Sequence, residues 1–168
     1  IHPNIVERET LIVQAIKWTS KDNNQKNPLM HKLIARIMTK EENFQVARNY
    51  SLLSKNGSLC GSILILMSTQ AYKSEIDMIV FQAILNWLIL KEKNTAVETF
   101  DYYVKNHPLI KTPRPPFLSP LLNFAYFLLN IIDEKKLQTF QHLCELYKNS
   151  ITCDINFEKQ LEKIGIDF

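Results

Sequence analysis

This 168-residue chain has only three glycines and three cysteines, and its charge of one sign barely exceeds the other. So few glycines leave little material for phosphate-cradling loops or for the primed turns of two-residue β-hairpins. Cys60, Cys144 and Cys153 are an odd set without paired spacing, which excludes a disulfide framework and fits a reducing compartment. His142, Cys144 and Cys153 lack a fourth ligand and the spacings of structural zinc sites, so no metal is read here. The 20 basic and 17 acidic residues leave +3, too little to point to nucleic acid. The sequence has no His-Glu-x-x-His, and His2, His31, His107 and His142 stand far apart without carboxylates at metal-ligand spacing. Ser51, Ser54 and Ser62 fall inside helical patterns rather than on strained elbows. The expectation is a protein that is not an enzyme and carries no cofactor. A long apolar run is also missing. Residues 115–132 are uncharged, but three prolines fill the first third, and the remaining ~13 residues would span only about 20 Å as a helix, short of a bilayer.

What the chain does have is a 46% hydrophobic composition with 22% charge, enough for a single globular domain over 1–168. Helical spacing recurs throughout. Pro3 opens a pattern through Leu11, Ile12, Ala15, Ile16 and Trp18, followed by a polar loop at 21–27. Asn27 and Pro28 cap a helix with Met30, Leu33, Ile34, Ile37 and Met38 as its stripe, and Asn43 caps the next. Gly57 reads as a helix terminator, with Ser58 capping a helix to about residue 71. Ser74-Glu75-Ile76-Asp77 resembles a capping box for a helix to about residue 91 that is apolar on nearly every side. Asn94, Ser119-Pro120, a start near Glu134, and Asp154 open the remaining helices. About nine helices joined by short loops predict an all-α fold, an α-solenoid of antiparallel pairs. Phe44-x-x-Ala47 and Ala96-x-x-x-Phe100, with Pro108 beyond, have a tetratricopeptide flavour. From Lys17 to Lys40, six basic residues face one acid, a solvated surface or an electrostatic patch.

The segment His107 to Ser119 stands out. Pro108, Pro113, Pro115, Pro116 and Pro120 fall in or beside it, interleaved with Leu109, Ile110, Phe117 and Leu118. Long loops in compact domains tend to be functional, and proline lowers the entropy lost on binding. The loop is either a short β-hairpin or irregular.

Three blocks of residues resemble the Golgi-to-ER-traffic "Get-four" family of scaffolds in tail-anchored protein targeting. They are Ala47-Arg48-Asn49-Tyr50 with Leu52-Leu53-Ser54, then Tyr72 to Met78 with Gln82-Ala83, and Pro115 to Phe124. Leu143-Cys144-Glu145 and Lys163-Ile164-Gly165 follow in order. The likeness covers the whole chain but only the C-terminal half of the family's protein. It implies a cytosolic, tetratricopeptide-like adaptor without enzymatic activity or membrane insertion. The family's C-terminal half holds the N-terminal segment of a ubiquitin-like partner, or in animals a scaffold with a BAG-type domain. Its N-terminal half docks the targeting ATPase and is expected to be absent here. A helical-repeat subunit of another cytosolic complex, such as a proteasome-lid-like assembly, is the alternative. The reading of the residues and the resemblance meet on one surface, the loop with the nearby last helices. Pro115 and Pro116 stiffen it, and Phe117 and Leu118 are its anchors. Leu121, Leu122, Phe124, Phe127 and Leu128 are expected to line a groove, with Phe140, Leu143 and Tyr147 as its far wall.

Overall fold

The computed structural model describes residues 10–12, 14, 15, 17 and 27–166. The expected helix start at Pro3, with Ile16, Trp18 and most of the 21–27 loop, lies outside the described residues, while 10–12, 14, 15 and 17 are helical. Beyond these, the described residues hold nine α-helices and one 3-10 turn, and no described residue is in a strand. They fall into two compact units, 1–56 and 57–168.

In the first unit, α1 (Pro28–Lys40) packs on α2 (Phe44–Leu53). Asn27 caps α1 as its sequence demands, its Oδ1 accepting the Leu29 N–H at 3.1 Å, with Pro28 where no donor is needed. The buried face is His31, Ile34, Ala35 and Met38, so the stripe is rotated from the expected one and Leu33 and Ile37 are exposed. The His31 ring explains the rotation, stacking on Tyr50 of α2 with centroids 5.8 Å apart.

The second unit runs α3 (Gly57–Thr69), the turn Lys73–Glu75, α4 (Ile76–Ile89), α5 (Lys93–Asn106), α6 (Pro120–Ile131), α7 (Leu137–Leu146), α8 (Lys148–Ile151) and α9 (Ile155–Gly165). Its axis is α4. Val80, Phe81, Ala83, Ile84, Leu85 and Trp87 have no exposed surface, because α3, α5, α6 and α9 all pack against this helix. Its apolarity on every side is thus explained by neighbours on every side. Phe81 meets Phe124 of α6 and Phe157 of α9 edge-on at 5.5 and 4.9 Å. Helices α3 and α5, separated in sequence by α4, lie directly against each other, the stacking of next-but-one helices found in helical repeats.

Some local expectations change. Gly57 begins α3 rather than ending α2, and the left-handed residue past α2 is Lys55, at φ 52°. The box expected from Ser74 forms instead at the 3-10 turn ahead of α4, where the Tyr72 N–H donates to Glu75 Oε2 at 3.2 Å. The single helix expected from Glu134 to Asn149 is two, α7 and α8, divided at Tyr147. The segment 107–119 is irregular, so the hairpin alternative does not hold. Five prolines at 108–120 remove the ladder donors a hairpin would need. No helix among the described residues is long and apolar enough to cross a membrane.

Candidate functional site

The proline-rich loop and the start of α4 enclose an open groove of about 800 Å³. One wall is Lys73, Ser74, Ile76 and Asp77. The other is the loop, through Leu109 to Thr112 and Pro116 to Pro120, with Leu122 from α6.

Three devices hold the loop in place. The first is Asn123, one turn into α6. Its Oδ1 accepts the Phe117 N–H and its Nδ2 donates to the Phe117 carbonyl, both at 2.8 Å, with a further bond to the Ser119 carbonyl at 3.2 Å. An irregular backbone thereby gains the paired donor and acceptor that a neighbouring strand would otherwise supply. The second is Ser119. It occupies the N-cap position of α6, yet its hydroxyl donates to Asp77 Oδ2 across the groove floor rather than capping its own helix. Asp77 Oδ1 meanwhile accepts the Met78 N–H at 2.9 Å. The third is His107. Its Nδ1 accepts the Leu109 N–H at 3.2 Å, which leaves Nε2 to donate to Ser68 Oγ of α3 at 2.8 Å. The Ser68 hydroxyl then donates to the Ile65 carbonyl at 2.6 Å. This directional chain requires the neutral ring, and burial lowers the His107 pKa in the same sense.

The twelve residues expected at the site divide sharply. Phe117 is 6% exposed, its ring edge-on to Phe100 at 5.8 Å, so it is a core residue at the groove floor and not a free anchor. Leu118 is 93% exposed at the rim. Pro116 lines the groove, and Pro115 is half-buried beside it. Leu122 contributes to the wall, while Leu121, Phe124 and Leu128 are buried and do not line the groove. Phe127 is exposed but lies outside the groove lining. The far wall is not Phe140, Leu143 and Tyr147. Leu143 is buried, Tyr147 packs its ring on Phe124 at 5.6 Å, and Phe140 faces a separate depression of about 460 Å³ with Cys144, Ile151 and Leu161.

Sequence reasoning missed Lys73, Ser74, Ile76 and Asp77 as a wall. They lie in one of the three blocks that carry the family likeness, so the signal was present without its spatial meaning. The groove's chemistry is that of binding: a mostly apolar lining, with Lys73, Lys111 and Asp77 as its charged residues. His107 aside, the groups with displaced pKa values do not line the groove, and burial is the first cause of each. Burial pushes the Cys144 thiol up to about 11 and the Tyr103 phenol well above its usual range, its O–H donating to the Ile76 carbonyl at 2.8 Å.

The chain matches the profile of the family described as Golgi to ER traffic protein 4 over residues 1–168. It is 40% identical over 165 residues to the human Golgi to ER traffic protein 4 homolog, covering 97% of this chain and 50% of that protein. The Xenopus tropicalis homolog is 39% identical over the same shares. The chain therefore spans about half the length of these relatives. The crystal structure of C. therm. Get4 superposes with a TM-score of 0.79, covering 94% of this chain and 55% of that one at 19% identity, a likeness of fold.

Proposed function

The chain belongs to the Golgi to ER traffic protein 4 family, and we propose on that premise that it is a cytosolic, non-enzymatic adaptor in the targeting of tail-anchored membrane proteins, holding the N-terminal segment of a ubiquitin-like partner in the proline-loop groove. Docking of the targeting ATPase belongs, on this reading, to the half of the relatives with which this chain does not align. The observation that carries the proposal is Leu118. A leucine 93% exposed on the rim of an apolar groove, in a loop fixed from three sides, is a preformed contact surface. An extended apolar segment laid between Leu118 and the Lys73–Asp77 wall would cover it.

Leu118 is also the residue to test, since a charge at buried Phe117 would disrupt the loop itself. Burying a leucine side chain contributes about 1.5–3 kcal/mol. Leu118→Asp is therefore expected to weaken calorimetric binding of the partner's N-terminal segment by at least about tenfold. Its helical circular dichroism should stay that of the wild type. Unchanged affinity in Leu118→Asp would place the partner elsewhere.

A further inference from the structure

The groove's loop contains two hydroxyl residues followed directly by proline, Thr112-Pro113 and Ser119-Pro120. The fold treats them in opposite ways. Ser119 is half-buried at the start of α6, with its hydroxyl bound to Asp77 and its carbonyl to Asn123. Thr112 is exposed in a stretch with no regular structure, between Lys111 and Pro113-Arg114, all of them exposed as well. Among the described residues no hydrogen bond holds its hydroxyl, and its side chain lines the groove.

A protein kinase needs a hydroxyl on a segment that can be drawn out without melting a helix. An enzyme that selects proline at the next position uses the one residue that brings no N–H to be left unsatisfied. Thr112 meets both conditions, while Ser119 meets only the second. We propose that Thr112 is a phosphorylation site for a proline-directed Ser/Thr kinase, and that its phosphate closes the groove. In the transfer, Thr112 Oγ1 attacks the γ-phosphorus of ATP. The bond to the β–γ bridging oxygen breaks, the hydroxyl proton passes to a carboxylate base of the kinase, and ADP leaves. The product carries a charge of about −1.5 to −2 and three acceptor oxygens on the groove wall. Lys73 and Lys111 line the same groove and are the cations such a phosphate would draw, so that a charge pair would stand where an apolar segment would enter. The closure rests on the reading of the groove as the partner clamp, whereas the modification itself does not.

The test treats the whole chain with a purified proline-directed Ser/Thr kinase and ATP and maps the phosphate by mass spectrometry. A synthetic peptide of the ubiquitin-like partner's N-terminal segment is then titrated into modified and unmodified protein. The expected result is one phosphate on Thr112, lost in Thr112→Ala and retained in Ser119→Ala, with peptide affinity at least tenfold lower after modification. Phosphate on Ser119, or on neither residue, overturns the site. Phosphate on Thr112 with unchanged affinity overturns the closure. Failure of the unmodified protein to bind the peptide removes the clamp reading and the closure with it, while the phosphate map still decides the site.

Discussion

His107 ties the groove's outer wall to α3 through one tautomer, and a proton on Nδ1 would set two donors, the ring and the Leu109 N–H, against each other. The linkage follows from the lowered pKa. Between about pH 6.5, where the unfolded chain's imidazole takes up its proton, and the lower folded value, the unfolded state holds more protons than the folded one. Stability from this residue is complete above about 6.5 and falls with pH through that window. In urea unfolding between about pH 8 and 5, the stability difference between wild type and His107→Gln should be constant above the window and shrink within it. Parallel curves throughout would show that His107 does not titrate in this way. Asn123 shows what the sequence conveys at this scale and what it does not. It reads as a polar interruption of an apolar helix, just as Asn130 does. The structure gives Asn130 an exposed bond to its own helix at Tyr126 and gives Asn123 the loop backbone. Both are asparagines on a helix, and only the approach of a distant segment separates them.

Helices announce themselves through spacing and caps. Asn27, Ser119 and Asp154 all occupy the expected cap positions, the Asp154 carboxylate accepting the Asn156 N–H at 2.8 Å. Gly57 misleads, since the usual place of a glycine is the end of a helix, as at Gly165 of α9. Here charged residues take the left-handed positions, Glu42, Lys55, Lys91 and Lys135, at φ between 48° and 60°. At Lys91 the pair of bonds from Lys91 N to Leu88 O and from Glu92 N to Trp87 O, both 2.9 Å, completes a Schellman turn without glycine. Gly57 and Gly61 serve close packing instead. A Cβ on Gly57 would stand 2.7 Å from the Thr95 carbonyl oxygen and 2.6 Å from Glu98 Cβ, and on Gly61 2.9 Å from the Tyr102 ring. The two lie one turn apart on α3 and let α5 approach. Alanine in an exposed helix would gain about 1 kcal/mol over glycine. At Gly57 the obstacle is backbone, which cannot step aside, so overpacking costing about 1–3 kcal/mol should prevail. Gly57→Ala is expected to lower the melting temperature by several degrees, and a rise would mean that α3 and α5 can separate cheaply.

At the scale of the molecule, the groove was half legible. The proline-rich loop could be picked out because prolines and large apolar residues rarely share a long connection. Its opposing wall could not, because an apolar stripe at three-four spacing looks the same whether it faces a groove or a core. Phe140 and Leu143 prove to be buried, and the true wall at Lys73–Asp77 is brought to the loop by the packing of α6 on α4 and the Ser119–Asp77 bond. Every residue lining the groove, and each contact that fixes the loop, belongs to 57–168. That unit has its own interior, centred on Phe81, Trp87, Phe124 and Phe157, and a length within the range of independent domains. Residues 57–168 expressed alone should therefore fold cooperatively and bind the partner's N-terminal segment within about threefold of the full chain's affinity, a difference of well under 1 kcal/mol. Circular dichroism reads the first outcome and calorimetry the second. A folded 57–168 unit that does not bind would assign part of the clamp to residues 1–56, and one that does not fold would show that its interior depends on them.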